Sequence, residues 1–184
     1  MQAVLVDQAR HGDREAFDVL AGSAVDRLYG IARLILRDTE LAEDATQDAL
    51  VRAWRDLPTL RDVERFDAWM YRLLVRSCAE VGRRQRRWRA EMRVLPIEPS
   101  EPDRASDVAD RDQLERGLRR LNDAQRTILV LHFYVGLSPG DAAEALSIPV
   151  GTAKSRLHYA IEALRAALEA DERTSVSMRE GRTA

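Results

Sequence analysis

Apolar residues recur along this chain at three- and four-residue intervals, and a sustained alternation of period two is absent, so the pattern predicts helices throughout. Phe17, Leu20, Leu28, Ile31, Leu34 and Ile35 line one face of a first helical region spanning about Asp13 to Leu36, in which Gly22-Ser23 and Gly30 are expected to weaken or bend the helix. Asp38-Thr39 can cap a second helix over about Glu40 to Leu57, with Leu41, Ala45, Ala49, Ala53 and Leu57 at core spacing and Leu50 and Trp54 alongside. Pro58 ends it, a polar loop follows to Arg65, and a third helix runs from Phe66 to about Met92.

The pattern then breaks. Pro96, Pro99 and Pro102 fall among Glu98, Glu101, Asp103, Asp107 and Asp110, a composition that disfavours helix and buries little, which predicts an acidic, flexible, extended linker. A second helical unit begins near Asp110, with Leu114, Leu118, Leu121, Ile128, Leu129, Leu131 and Phe133 as its core candidates. Ser138-Pro139-Gly140-Asp141 resembles a capping box and opens a short apolar helix that Ser147-Ile148-Pro149 closes. The next helix carries Val150, Leu157, Ile161, Leu164 and Leu168 on one face and Thr152, Lys154, Ser155, Arg156, His158 and Tyr159 on the other. A short helix, a tight turn and a helix whose first residues are basic and hydroxylated describe a helix-turn-helix suited to a DNA major groove.

The fold class predicted is therefore all-α: two small helical domains, residues 1–93 and 111–170, joined by the linker 94–110, the second a helix-turn-helix, with a polar, disordered tail over 171–184. The chain has 184 residues and a formal net charge of −2, so charge distribution matters more than its total. Cys78 is the single cysteine, which excludes an internal disulfide, and the three histidines lack metal-ligand spacing. The N-terminus does not read as a signal peptide and no apolar run approaches the ~20 residues of a membrane span, so a cytoplasmic location without membrane insertion is expected. Neither a glycine-rich phosphate loop nor a nucleophile–base arrangement stands out, so no enzyme, cofactor or metal is expected.

Two polar constellations carry the functional reading. Glu40, Asp44, Gln47 and Asp48 form one stripe of the second helix, either a solvated face or a docking surface for a basic partner helix. The third helix starts with Phe66, Trp69 and Tyr71 and ends in Arg83, Arg84, Arg86, Arg87, Arg89 and Arg93, with Trp88 inside the run. Arginines neutralise phosphates, and planar rings stack unpaired bases.

Together these residues resemble the extracytoplasmic-function (ECF) sigma factors of the sigma-70 family, the promoter-recognition subunits of bacterial RNA polymerase. Leu41 through Trp54 (LAEDATQDALVRAW) resembles the polymerase-docking helix, Phe66 through Leu74 (FDAWMYRLL) and the following arginines the promoter-melting and minus-ten element, and Gly151 through Leu157 (GTAKSRL) the minus-thirty-five reading helix. The resemblance covers residues 10–168 and implies an alternative sigma factor that binds core RNA polymerase and promoter DNA, with an anti-sigma factor as a further partner. It implies that Asp44, Gln47 and Asp48 contact the polymerase clamp. The loop from Leu60 to Asp67 and the helix opening at Phe66 would capture an unpaired base. Arg83, Arg84, Arg86 and Arg87 would hold phosphates, and Thr152, Lys154, Ser155, Arg156 and His158 would face the minus-thirty-five duplex. The competing reading is a stand-alone helix-turn-helix regulator with a helical sensor domain, which would need neither the acidic stripe nor the minus-ten helix. The sequence departs from the family pattern at Arg76, where Asn is common, at Glu80, where Asp is common, at Pro149, where a capping Ser is common, and at Pro139-Gly140. The linker reaches at most ~55 Å at ~3.3 Å per residue, and promoter elements one and a half turns apart lie ~50–55 Å from each other.

Overall fold

A computed structural model describes the backbone of residues 1–91 and 116–180; side chains are described except at Arg89, Glu91 and beyond residue 170. The expected linker and residues 181–184 lie outside the described residues, as do Met92 and Leu114. Among the described residues every regular element is helical. They are α1 (Gln2–Arg10), α2 (Arg14–Leu36), α3 (Thr39–Asp56), α4 (Phe66–Glu91), α5 (Asp123–Leu129), α6 (Pro139–Leu146) and α7 (Val150–Glu180). Two single 3₁₀ turns, Leu57–Thr59 and Val63–Arg65, join α3 to α4, residues 116–120 are helical, and a π-helical turn, Val130–Tyr134, continues α5.

The helix starts follow from local chemistry. Asp13 accepts a hydrogen bond from the Ala16 backbone N–H at 3.1 Å, and Asp38 accepts one from Leu41 N–H at 3.0 Å, each filling an orphan donor of the helix it precedes. Asn122 and Gln125 close a full reciprocal capping box at the head of α5. Ser138 accepts from Asp141 N–H at 3.1 Å while its hydroxyl donates to the Asp141 carboxylate at 2.6 Å, so this acid serves the cap side chain and not the cap backbone. Arg37 and Ser147 end α2 and α6 in the left-handed region, φ 57° and 54°. Helix α1 lies ahead of the first helical region predicted from the pattern. It buries only Val6 and Ala9, too narrow a stripe to stand out in sequence.

Helices α1 to α4 pack as a bundle. Along α3 the buried positions are Ala42, Ala45, Thr46, Ala49 and Ala53, against Leu28, Ile31, Leu74 and Val81 of α2 and α4. Gly30 does not break α2, which is continuous from Arg14 to Leu36. A Cβ there would lie 3.1 Å from the Tyr134 hydroxyl oxygen, so the glycine makes room for the π-helical turn of the second unit. Gly117 is a similar close approach, its would-be Cβ 2.9 Å from Leu164 and Leu168.

The second unit packs directly on the first, and one continuous apolar core runs through both. Helix α6 lies on α4, and α5 on α2. Arg126 crosses the junction: its buried guanidinium donates to the carbonyls of Ile35 at 2.6 Å, Leu121 at 2.7 Å and Leu118 at 3.1 Å. Burial lowers its pKa and the nearby Asp123 carboxylate opposes that shift.

Two core expectations are corrected. Phe133 is 65% exposed, because the π-helical turn, closed by Val135 N–H to Val130 O at 3.1 Å, adds a residue to the turn and rotates the ring off the buried face. Val150 is 47% exposed, and Ala153, Leu157, Ala160 and Ala167 form the buried seam of α7 instead. The helical backbone of α7 continues to Glu180, past the point where the polar composition predicts a disordered tail.

Candidate functional site

The acidic stripe of α3 stands on the face opposite its alanine seam. Asp44 and Gln47 are exposed and Asp48 is half-buried. Asp44 faces Arg84 of α4 at 3.3 Å, with both side chains more than half exposed, so the stripe and the arginine run meet along one edge. Further along, Trp54, expected beside the core, is 41% exposed with its ring 5.0 Å from Phe17, and Val51 is exposed on the same helix.

Phe66 is a correction. Only 4% of it is exposed, and it belongs to the hydrophobic core at the head of α4. A ring at the first position of α4 points into the bundle, so it cannot stack on a base in this arrangement; Trp69, 6.0 Å away, is only partly covered.

Arg83, Arg84, Arg86 and Arg87 lie on the last turns of α4, and all four are exposed. Glu80, Arg83, Arg84, Arg87 and Trp88 line an open hollow of about 520 Å³, with Trp88 47% exposed. Trp88 is the aromatic surface that this run offers, and its place inside the arginine sequence is the signal for it. Arg86 pairs across to Asp123 of α5. Glu80 serves the scaffold. It takes both guanidinium nitrogens of Arg52 on α3, and that hydrogen bonding holds its carboxyl below the usual glutamate range and raises the Arg52 pKa. The longer acid at this position therefore ties α3 to α4.

On α7, Thr152, Lys154, Ser155 and His158 are exposed and Arg156 is half-buried. Ser155 donates to the Thr152 carbonyl at 3.1 Å, and His158 lies 3.7 Å from Glu162. Pro149 supplies no side-chain cap, but its carbonyl accepts from Ala153 N–H at 3.0 Å and so begins the helical ladder. The turn Ser147-Ile148-Pro149 sets α6 against α7 with Ala142, Ala143 and Ala153 buried between them, the close approach a helix-turn-helix requires.

Among the described residues no group of His, Cys, Asp or Glu could hold a metal ion, and no helix is long and apolar enough to cross a membrane.

Comparison with known proteins gives this geometry its family. Residues 20–89 match Sigma-70 region 2, and residues 111–164 match Sigma-70, region 4. RNA polymerase sigma-H factor of Pseudomonas aeruginosa is 30% identical over 90% of this chain and 92% of its own. The chain belongs to the sigma-70 family. Within it, ECF RNA polymerase sigma factor SigM of Mycobacterium tuberculosis is 36% identical over 79% of this chain and 73% of that protein, which places the chain in the ECF branch. Among solved structures, the sigma factor RpoE of Bartonella quintana, in complex with the anti-sigma factor NepR, superposes with a TM-score of 0.69 at 25% identity over 84% of this chain and 98% of that one. CnrH in complex with the cytosolic domain of CnrY does so with a TM-score of 0.67 at 27% identity over 92% and 98%. The chain is thus an alternative sigma factor that directs transcription initiation, and the stand-alone regulator reading falls away.

Proposed function

We propose that this ECF sigma factor docks core RNA polymerase through Asp44, Gln47 and Asp48, holds and opens the minus-ten region with α4, and reads minus-thirty-five DNA with the start of α7. It works by binding, in the cytoplasm, and not by catalysis. The observation that carries the reading is the placement of three chemically distinct surfaces on one small scaffold. An acidic stripe on α3 is backed by a rigid alanine seam, an arginine cluster with an exposed Trp88 flanks it, and an exposed Thr152–His158 segment stands at the head of a helix-turn-helix. Acidic and basic surfaces side by side suit a protein that grips a basic protein helix and a nucleic acid at once. Phe66 is left out of base capture, and the exposed loop residues between Leu60 and Asp67 keep that role, while the arginines hold phosphates.

Residues 1–93 act as the docking and melting unit, residues 111–170 as the minus-thirty-five unit, and 94–110 as the tether between them. Promoter elements one and a half turns apart lie ~50–55 Å from each other, so the two units, packed together here, separate on the promoter. An anti-sigma factor is a fitting partner for the closed form, since the two structural relatives named above were solved as complexes, one of them explicitly with an anti-sigma factor.

The test is in vitro transcription with core polymerase and a promoter library. Sigma-dependent transcripts that share minus-ten and minus-thirty-five elements are expected. Core polymerase that gains no promoter selectivity from this chain would refute the reading.

A further inference from the structure

Helix α1 brackets the exposed loop that precedes α4, and it packs on both 3₁₀ turns of that loop. At its C-terminal end, Arg10 Nη1 donates to the Leu60 carbonyl at 3.2 Å, where the loop begins. At its N-terminal end, the Gln2 side-chain amide donates to the Asp67 carboxylate at 3.1 Å, where the loop ends. The two ends are held unequally. Asp67 also accepts from Arg27 at 3.1 Å, and that guanidinium lies 5.4 Å from the centre of the Tyr71 ring. Among the described residues the Leu60 carbonyl has one donor, Arg10. Arg10 is itself oriented by Asp7, one turn earlier on α1, whose carboxylate accepts from Nη2 at 2.6 Å. The Arg10 side chain is 27% exposed, so it lies against the loop and not out in solvent.

We infer that Arg10 is a positioning residue for base selection at minus-ten, which acts by fixing the peptide that launches the exposed part of this loop. The inference rests on the base-capture role proposed above for the loop. A peptide unit is planar, so a hydrogen bond that orients the Leu60 carbonyl also orients the Arg61 N–H and limits the dihedrals on either side. Leu60 is buried, whereas Arg61, Asp62, Glu64 and Arg65 are exposed, so this peptide is the point where the chain leaves the core. Beyond it, the loop's own bonds are short-range. Glu64 N–H reaches the Asp62 carboxylate at 3.0 Å, and Arg65 N–H reaches the Asp62 carbonyl at 3.2 Å. Those bonds shape the turn without aiming it. The aim is set at the two ends, and the Leu60 end depends on one side chain. Arg10 acts through Leu60 and does not itself touch DNA. Val6 and Ala9 seat α1 on the bundle independently of Arg10, so its removal frees the loop without unseating the helix.

The experiment is selection of bound promoters by the holoenzyme, core polymerase with the full chain, from a library randomised over minus-ten and minus-thirty-five. Arg10→Ala should reduce the preference for the favoured base at one or two minus-ten positions by about two- to twelvefold. A positioning contact can shift a choice by no more than the net worth of its hydrogen bond, which sets that range. The minus-thirty-five preference should stay as in wild type, which a general loss of folding or docking would not leave intact. Arg10→Lys, which keeps a donor and a charge, should restore most of the minus-ten preference. The plot of log affinity against log salt should keep its slope in Arg10→Ala; a slope lower by ~0.7 or more would make Arg10 a phosphate contact and overturn the positioning role. Circular dichroism checks folding. If Arg10→Ala fails to fold, Asp7→Asn, which weakens the hold on Arg10, should relax the same positions. Gln2→Ala should leave the preference alone because Arg27 keeps Asp67 in place, and equal relaxation by Gln2→Ala would overturn the assignment to Arg10. Unchanged minus-ten preference in Arg10→Ala would overturn the inference while base capture by the loop stands. A wild-type holoenzyme indifferent to minus-ten sequence would overturn both.

Discussion

Arg126 donates a hydrogen bond to the Ile35 carbonyl, 91 residues earlier in the chain, and so caps the end of α2 from the other unit. Ile35 lies in the last turn of α2, where carbonyls have no partner within the helix. The same guanidinium holds Leu118 and Leu121 carbonyls, so its removal orphans three acceptors at one buried point. Arg126→Met should therefore cost about 3 kcal/mol or more, since three buried acceptors are orphaned at about 1–3 kcal/mol each and the apolar stem is retained. Urea denaturation of the full chain measures it, and a loss under about 0.5 kcal/mol would mean that Arg126 is not a structural keystone.

Reversing Asp44 and Asp48 to Arg should abolish core polymerase binding while leaving helicity unchanged. Asp44 is exposed and Asp48 half-buried, away from the alanine seam, whereas like charges set against a basic partner cost several kcal/mol. A pull-down titration reads this directly, and wild-type affinity in the variant would remove the stripe from the docking surface. Asp44→Arg also faces Arg84, so a parallel Asp48→Arg variant separates partner repulsion from repulsion within the molecule.

Replacing Arg83, Arg84 and Arg87 with Ala should weaken minus-ten binding and flatten its salt dependence by about one unit per lost phosphate contact. All three line the hollow beside Trp88, so the helix itself should persist. Protection over minus-thirty-five should survive. Wild-type permanganate reactivity of unpaired thymines near the start site would assign melting to other residues.

Lys154 and Arg156 lie about 200° apart around α7, so they cannot share one base edge. Arg156, whose planar fork can read guanine, is expected at the groove, and Lys154 at phosphate. Arg156→Ala should cost about 1–3 kcal/mol on the preferred promoter and relax one base position, while Lys154→Ala weakens all sequences alike. Promoter-library selection with both variants is the measurement, and a changed sequence preference for Lys154→Ala alone would reverse the assignment.

Burial pushes the Cys78 thiol from 9.0 up to about 12, which leaves roughly a thousandth of the ordinary thiolate population near neutral pH. Alkylation of the native chain should be correspondingly slow and become fast in denaturant. The folded chain holds this proton more tightly than the unfolded one. Its stabilising contribution is therefore full below pH 9.0 and is lost as pH rises toward about 12. Rapid labelling of the native chain would show that α4 opens locally.

Much of the fold is legible because its signals are local. Asp13 and Asp38 announce helix starts, and Ser138-Pro139 and Ser147-Ile148-Pro149 bracket α6, each by a hydrogen bond or a steric limit within four residues. Phe133 is not legible, since a π-helical turn changes the phase of a pattern read at 3.6 residues per turn. Gly30 looks like a flaw in α2 until Tyr134 arrives against it. The exposed residues proposed as sites stand out by charge pattern, whereas Phe66 misleads because an aromatic ring at a helix start suits a core and a stacking platform equally. The clasp that Arg65 and Arg72 form on Glu144 is invisible in sequence, because a lone glutamate on a short helix carries no sign of two arginines more than seventy positions away.

The alanines buried along α3 have a consequence for heredity. Ala42, Ala45, Ala49 and Ala53 each have zero exposure, so α3 offers its neighbours mostly single methyls, with Thr46 the one larger buried side chain on that seam. A seam of methyls leaves no long side chain to repack, and the first added carbon must move the whole helix. The surface above can therefore change letter by letter to suit a partner, while the letters beneath it are the ones that a lineage keeping this helix in place cannot afford to enlarge.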